Sequence, residues 1–130
     1  MGRDDLQLGR GYFGTGALGH GGRLNDLLGV SFTDTYKESR IGYVLFHPGI
    51  VSTSFSGEYD AAAAAQVAGL KVFGKSVQES IAQIIPCIDS PPVDRLSAFV
   101  EGRRIAVDNR FFDSQDAARL HKITEGLLAG

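Results

Sequence analysis

IGYVLFHPGIVST, residues 41–53, is the stretch whose reading decides the fold. Tyr43 to Phe46 is a short, uninterrupted run of aromatic and branched apolar side chains. Such a run predicts a strand buried on both faces of a parallel sheet, because helices on either side leave it no polar face. Pro48 has no N–H to give to a ladder, so Pro48-Gly49 ends the strand in a turn. His47 then stands at the carboxyl end of the sheet, where α/β folds bind ligands.

Upstream, Leu24, Leu27, Leu28, Phe32 and Tyr36 follow helical spacing and predict a helix from about Arg23 to Glu38. Residues 1–22 hold eight of the chain's 17 glycines and read as a loop, because ordering glycine loses more backbone entropy than ordering other residues. Downstream, the Ser/Thr/Gly-rich residues 50–57 read as a second loop. Residues 59–74, YDAAAAAQVAGLKVFG, predict a helix capped by Asp60 and broken by Gly74. Ser76-Val77-Gln78-Glu79 has the form of a capping box and opens another helix to about Cys87. Ser90-Pro91-Pro92 stops it. Residues 96–102, LSAFVEG, predict a strand. Asp113 to Leu128 predicts a last amphipathic helix with Ala117, Leu120, Ile123, Leu127 and Leu128 on one side. Alternation of helix and strand argues one α/β domain over residues 23–130, with a small parallel sheet of two or three strands and flanking helices. So small a sheet leaves an apolar edge open, and open edges recruit partners. A homodimer, or a partner chain covering the sheet edge, is expected.

Composition bounds the function classes. With 43% hydrophobic and 22% charged residues, the chain is ordinary for a globular protein. A net charge of -2 and no basic run longer than two residues argue against nucleic acid. No apolar run is long enough to span a bilayer, and residues 1–20 lack the apolar core of a signal peptide. Cys87 is the single cysteine, so no internal disulfide forms, and a reducing, cytoplasmic location is expected.

Gly14-x-Gly16-x-x-Gly19 has the spacing of a dinucleotide-binding turn. That turn needs a strand before its first glycine and a helix opening at its last. Gly9-Arg10-Gly11-Tyr12-Phe13 is not a buried strand, and His20-Gly21-Gly22 is a poor first helical turn. An entry loop before the Arg23 helix is the expectation.

A different frame fits the same residues better. Asp4-Asp5-Leu6 with Tyr12, Asn25-Asp26-Leu27-Leu28, His47-Pro48-Gly49-Ile50-Val51-Ser52-Thr53 and Asp116-Ala117-Ala118-Arg119-Leu120 with Thr124-Glu125 and Leu127 occur in order. With that spacing the chain resembles the C-terminal half of short-chain dehydrogenases/reductases, in particular the retinol-dehydrogenase-like branch. The resemblance implies a partial Rossmann-like three-layer fold and NAD(P)-dependent oxidoreduction of a carbonyl or alcohol. It implies that Pro48 and Gly49 turn the chain over the nicotinamide. The Ile50 backbone and the Thr53 hydroxyl would hold the carboxamide, and residues 54–74 would form the substrate loop, with Phe55 and Tyr59 against a small apolar molecule. It also places the Arg23 helix at a dimer interface.

The pattern departs where the family does its chemistry. A Tyr-x-x-x-Lys pair moves the proton while hydride moves. Registering Asn25 on the family puts Leu18 at the tyrosine and Gly22 at the lysine, and neither carries a titratable group. Tyr36-x-x-x-Arg40 has the spacing but lies at the far end of the helix. The family's upstream Gly-rich half is also missing, so a fragment or a truncated relative is expected, without redox chemistry alone. His20, His47 and His121 have no metal-ligand spacing, and no metal is expected. His47, Tyr59 and Asp60 remain as candidate acid–base residues. Three functions stay open: a dehydrogenase-like chain without redox activity of its own, a non-redox binding protein or isomerase- or cyclase-type enzyme using the remnant pocket, and a structural subunit completing another sheet.

Overall fold

A computed structural model of the chain describes Leu6, residues 14–54 and residues 56–130. Helix α1 (Gly14–Thr35) leads into strand β1 (Tyr43–His47), helices α2 (Ala61–Phe73) and α3 (Val77–Asp89), the hairpin β2 (Leu96–Val100) and β3 (Arg103–Ile105), a 3-10 turn at Arg110–Phe112, and helix α4 (Ser114–Ala129). The result is a mixed α/β fold with the partial Rossmann-like layout expected, and its sheet has the order β1-β2-β3.

β1 and β2 run parallel, with Leu45 opposite Ala98 and His47 opposite Val100. Tyr43, Leu45, Leu96 and Ala98 therefore share one face of the sheet. That face meets α1. The core is Leu27, Val30, Ala98, Phe112 and Ala117, with Leu45, Leu96, Val107 and Leu120 packed around it. Gly29 permits the close approach: a Cβ there would lie 3.1 Å from Leu45 Cδ1 and from Leu96 Cδ1. The Arg95 guanidinium closes the C-terminal end of α1 by donating to the Thr33 carbonyl at 3.1 Å and to the Tyr36 carbonyl. That gives the Thr33 carbonyl of the last turn a donor, adds one to the Tyr36 carbonyl that already accepts from Ser39 N, and complements the helix dipole. Ser97 points to the opposite face and is also buried, so both faces of β2 are covered.

Three expectations need correction. The helix expected from Arg23 begins at Gly14, so the second part of the glycine-rich segment is helical. Packing against α4 and the 3-10 turn outweighs the helix propensity lost at its glycines. The sheet is not wholly parallel: β3 returns antiparallel to β2. Glu101 and Gly102 both have positive φ, 50° and 80°, the twist that two-residue hairpins need. Arg103, Arg104 and Ile105 of β3 are all exposed, so no apolar run marks this strand in the sequence. β1 is not buried on both faces either. Tyr43 to Phe46 are half-buried and His47 is exposed, because no strand among the described residues lies on its outer side.

The caps agree with the sequence. Asp60 accepts from Ala63 N at 2.8 Å and Ser76 Oγ accepts from Glu79 N at 3.1 Å. α4 is capped by Asp113, which accepts from Asp116 N at 2.9 Å. α3 continues through Pro86 to Asp89.

Candidate functional site

β1 ends at His47 and leaves the sheet through Gly49, whose φ is 83°. That conformation favours glycine, and a Cβ at Gly49 would sit 2.5 Å from Glu101 Oε1, so the Glu101 side chain would have to move aside. Glu101 follows β2 directly and its N–H donates to the His47 carbonyl at 2.8 Å. The carboxyl ends of the two parallel strands are thus joined at this point.

His47 is oriented by its own turn. The Gly49 N–H donates to His47 Nδ1 at 3.0 Å. With Nδ1 accepting, the neutral imidazole carries its proton on Nε2. Glu101 receives a hydrogen bond from Lys75 Nζ at 2.7 Å. That bond, together with the Lys75 charge, holds the Glu101 carboxyl below its ordinary pKa. Lys75 is fixed through its backbone: its N–H donates to the Ile50 carbonyl at 2.9 Å, and its carbonyl accepts from Ser52 N at 2.8 Å. Together His47, Gly49, Ile50, Phe73, Lys75 and Glu101 line an open cleft of about 530 Å³.

On its other side His47 faces α1. Asp26, Gly22 and His47 line a second groove along the sheet. Burial pushes the Asp26 carboxyl above its ordinary pKa, against the opposing pull of Arg23 and His47. His47 therefore stands between two carboxyl groups whose pKa values are moved in opposite directions, Asp26 upward and Glu101 downward.

Of the residues singled out in the sequence, His47, Gly49 and Ile50 are brought together, with Pro48 between them. Thr53 is exposed and does not line this cleft. The same holds for Tyr59, whose hydroxyl donates to the Ser56 carbonyl at 3.3 Å, and for Asp60, whose carboxylate caps α2. Phe55 lies outside the described residues. Leu18 is exposed, and Gly22 opens on the groove that holds His47. Lys75, Glu101 and Asp26 were missed. Lys75 and Glu101 follow Gly74 and precede Gly102 at the ends of elements, and only the parallel register reveals that they meet. Asp26 appeared only within the Asn25-to-Leu28 stretch of the resemblance, with no role of its own.

The Ile50 carbonyl accepts from Lys75 N–H, and the Glu101 side chain lies close to Gly49. Among the described residues no group of His, Cys, Asp and Glu side chains is arranged to hold a metal ion, and no helix is long and apolar enough to cross a membrane. Comparison with family models, curated proteins and solved structures gives no match for this chain.

Proposed function

We propose that this chain is a short-chain dehydrogenase/reductase-like protein with no redox chemistry of its own, and that the His47 cleft binds a small apolar carbonyl or hydroxyl compound. The position of His47 carries the reading. It ends a strand in parallel register with its neighbour, beside a left-handed glycine turn, at the carboxyl edge where α/β sheets bind ligands. Gly22, at the place of the family's lysine, opens on the adjoining groove, which supports the register taken from the resemblance.

The chemistry follows from the tautomer. Nε2–H of His47 donates to a ligand oxygen. Nδ1, held by the Gly49 N–H, keeps the ring from turning. Ile50 and Phe73 offer apolar surface, and the Lys75–Glu101 pair keeps the mouth polar. Such a site holds and polarises a carbonyl and supports acid–base help. Oxidoreduction is not part of the proposal, because Leu18 and Gly22 supply neither a phenol nor an ammonium. A homodimer is proposed alongside, since no strand among the described residues covers the outer edge of β1 and Leu28 and Tyr36 of α1 remain exposed.

Two titrations test this. NADPH added to the chain is expected to leave nicotinamide emission unchanged. Cyclohexanone is expected to shift the His47 ring resonances saturably, and His47→Ala to abolish binding. NADPH-dependent turnover, or no response at His47 to the ketone, would overturn the proposal.

A further inference from the structure

Away from the His47 cleft, a second cavity of about 190 Å³ lies between α1, the 3-10 turn and the start of α4. Its wall includes His20, Arg23, Leu27, Arg110, Phe111 and Asp116. His20 is 4% exposed, and its Nε2 is buried with no hydrogen-bond partner. Arg23 Nη1 is likewise buried without a partner, while its Nη2 lies 4.0 Å from Asp26 Oδ2. Buried polar atoms in folded proteins are almost always satisfied, so two orphans on residues that line one cavity point to a missing partner, which for the guanidinium must be an acceptor.

The charge has the same sign. The Arg23 guanidinium lies 3.8 Å from the Phe111 ring centroid, and that of Arg110 lies 4.9 Å from the same centroid. Two like charges are thus gathered on one ring. Asp116 supplies one carboxylate, which leaves the lining positive before His20 is counted. Guanidinium groups pair with carboxylates through paired N–H donors. Leu24 and Leu27 add an apolar floor. The volume equals about six water molecules, room for a small ring or short chain and too little for a nucleotide.

We propose that this cavity is a binding site for a small organic monocarboxylate. The carboxylate takes the buried Arg23 Nη1 and His20 Nε2 as donors, Arg110 closes over it from the exposed side, and its apolar body lies on Leu24, Leu27 and Phe111. The site shares no lining residue with the His47 cleft, and shares Arg23 and Phe111 with the groove along the sheet.

Benzoate is the probe, with benzamide as its neutral counterpart. NMR titration of the full chain is expected to show saturable benzoate shifts at the His20 ring and Phe111, and none with benzamide over the same range. Arg110→Gln changes an exposed residue, so the fold should persist by circular dichroism while benzoate affinity falls about tenfold, the loss of one charge-assisted contact. Absence of saturable shifts at His20, equal binding of benzamide, or unchanged affinity in a folded Arg110→Gln protein would each overturn the proposal.

Discussion

Alanine at Gly21 and at Gly29 should have opposite effects, although both glycines lie within α1. Replacing glycine by alanine in a helix interior gains about 1 kcal/mol from backbone entropy alone. At Gly21 a Cβ meets nothing within 4 Å, so Gly21→Ala should keep that gain and raise Tm by roughly 4 °C. At Gly29 the Cβ would meet Leu45 Cδ1 at 3.1 Å, Leu96 Cδ1 at 3.1 Å and Tyr43 Cδ1 at 3.2 Å. Ordinary contact begins at 3.4 Å, so three core side chains must give way together. Overpacking of this kind costs about 1–3 kcal/mol, which cancels or reverses the propensity gain. Urea unfolding followed at 222 nm should therefore separate the two variants by about 1–3 kcal/mol. Leu45→Val removes one of the three obstructing atoms. Combined with Gly29→Ala, it should cost less than the two single changes together, and a double-mutant cycle reads that coupling. If Gly29→Ala stabilises as much as Gly21→Ala, α1 does not lie this close to the sheet. The placement of Asp26 beside His47, one turn earlier on the same helix, would fall with it.

Asp26→Asn should stabilise the protein at pH 7 and have no effect well below pH 3.8, the carboxyl's ordinary pKa. Burial raises the folded-state pKa, so the native carboxyl loses stability as pH rises from the unfolded value through the folded one, and asparagine removes that loss; a less stable Asn variant at pH 7 would contradict the assignment. Glu101 has the opposite sign: its folded pKa is lowered, so the stability it adds is present above its ordinary value of 4.5 and fades as pH falls through the folded value. Glu101→Gln should flatten the acid side of the urea-midpoint profile, and an unchanged profile would count against the Lys75 pair. The pure chain should show no NAD(P)H-dependent turnover of aldehydes or ketones in a 340 nm assay. Light scattering at high micromolar concentration should give twice the 13.9 kDa monomer mass, and Leu28→Asp should restore the monomer with unchanged circular dichroism, since Leu28 is 52% exposed.

The sequence was most legible where a local rule acts alone. Asp60 and Ser76 are caps because their side chains reach N–H groups three residues on, and that needs no tertiary knowledge. β1 was legible from its apolar run and the Pro48-Gly49 stop. Three features were hidden for a common reason, that contacts distant in sequence decide them. The glycines after Gly14 read as loop, yet α1 is held by α4 and the 3-10 turn. Arg103 and Arg104 are exposed and carry no apolar signal, yet their backbone pairs with Val100 and Phe99. Lys75 and Glu101 are 26 residues apart, and only the parallel crossover brings them to His47. Tyr59 and Asp60 were attractive as loop acid–base groups, but short-range hydrogen bonds take both into local structure.

Glu101 occupies a backbone conformation that glycine or asparagine adopts with less strain, and its neighbour Gly102 shows what the hairpin alone would favour. The turn would close as well with Gly at both positions. A carboxylate at 101 serves something other than hairpin geometry, since it reaches Lys75 and stands over Gly49. Residue 101 is thus a point where ease of folding and the chemistry of the cleft select different amino acids. An engineer who optimised this hairpin for thermostability would remove the cleft's anionic wall without touching a residue that looks functional in the sequence.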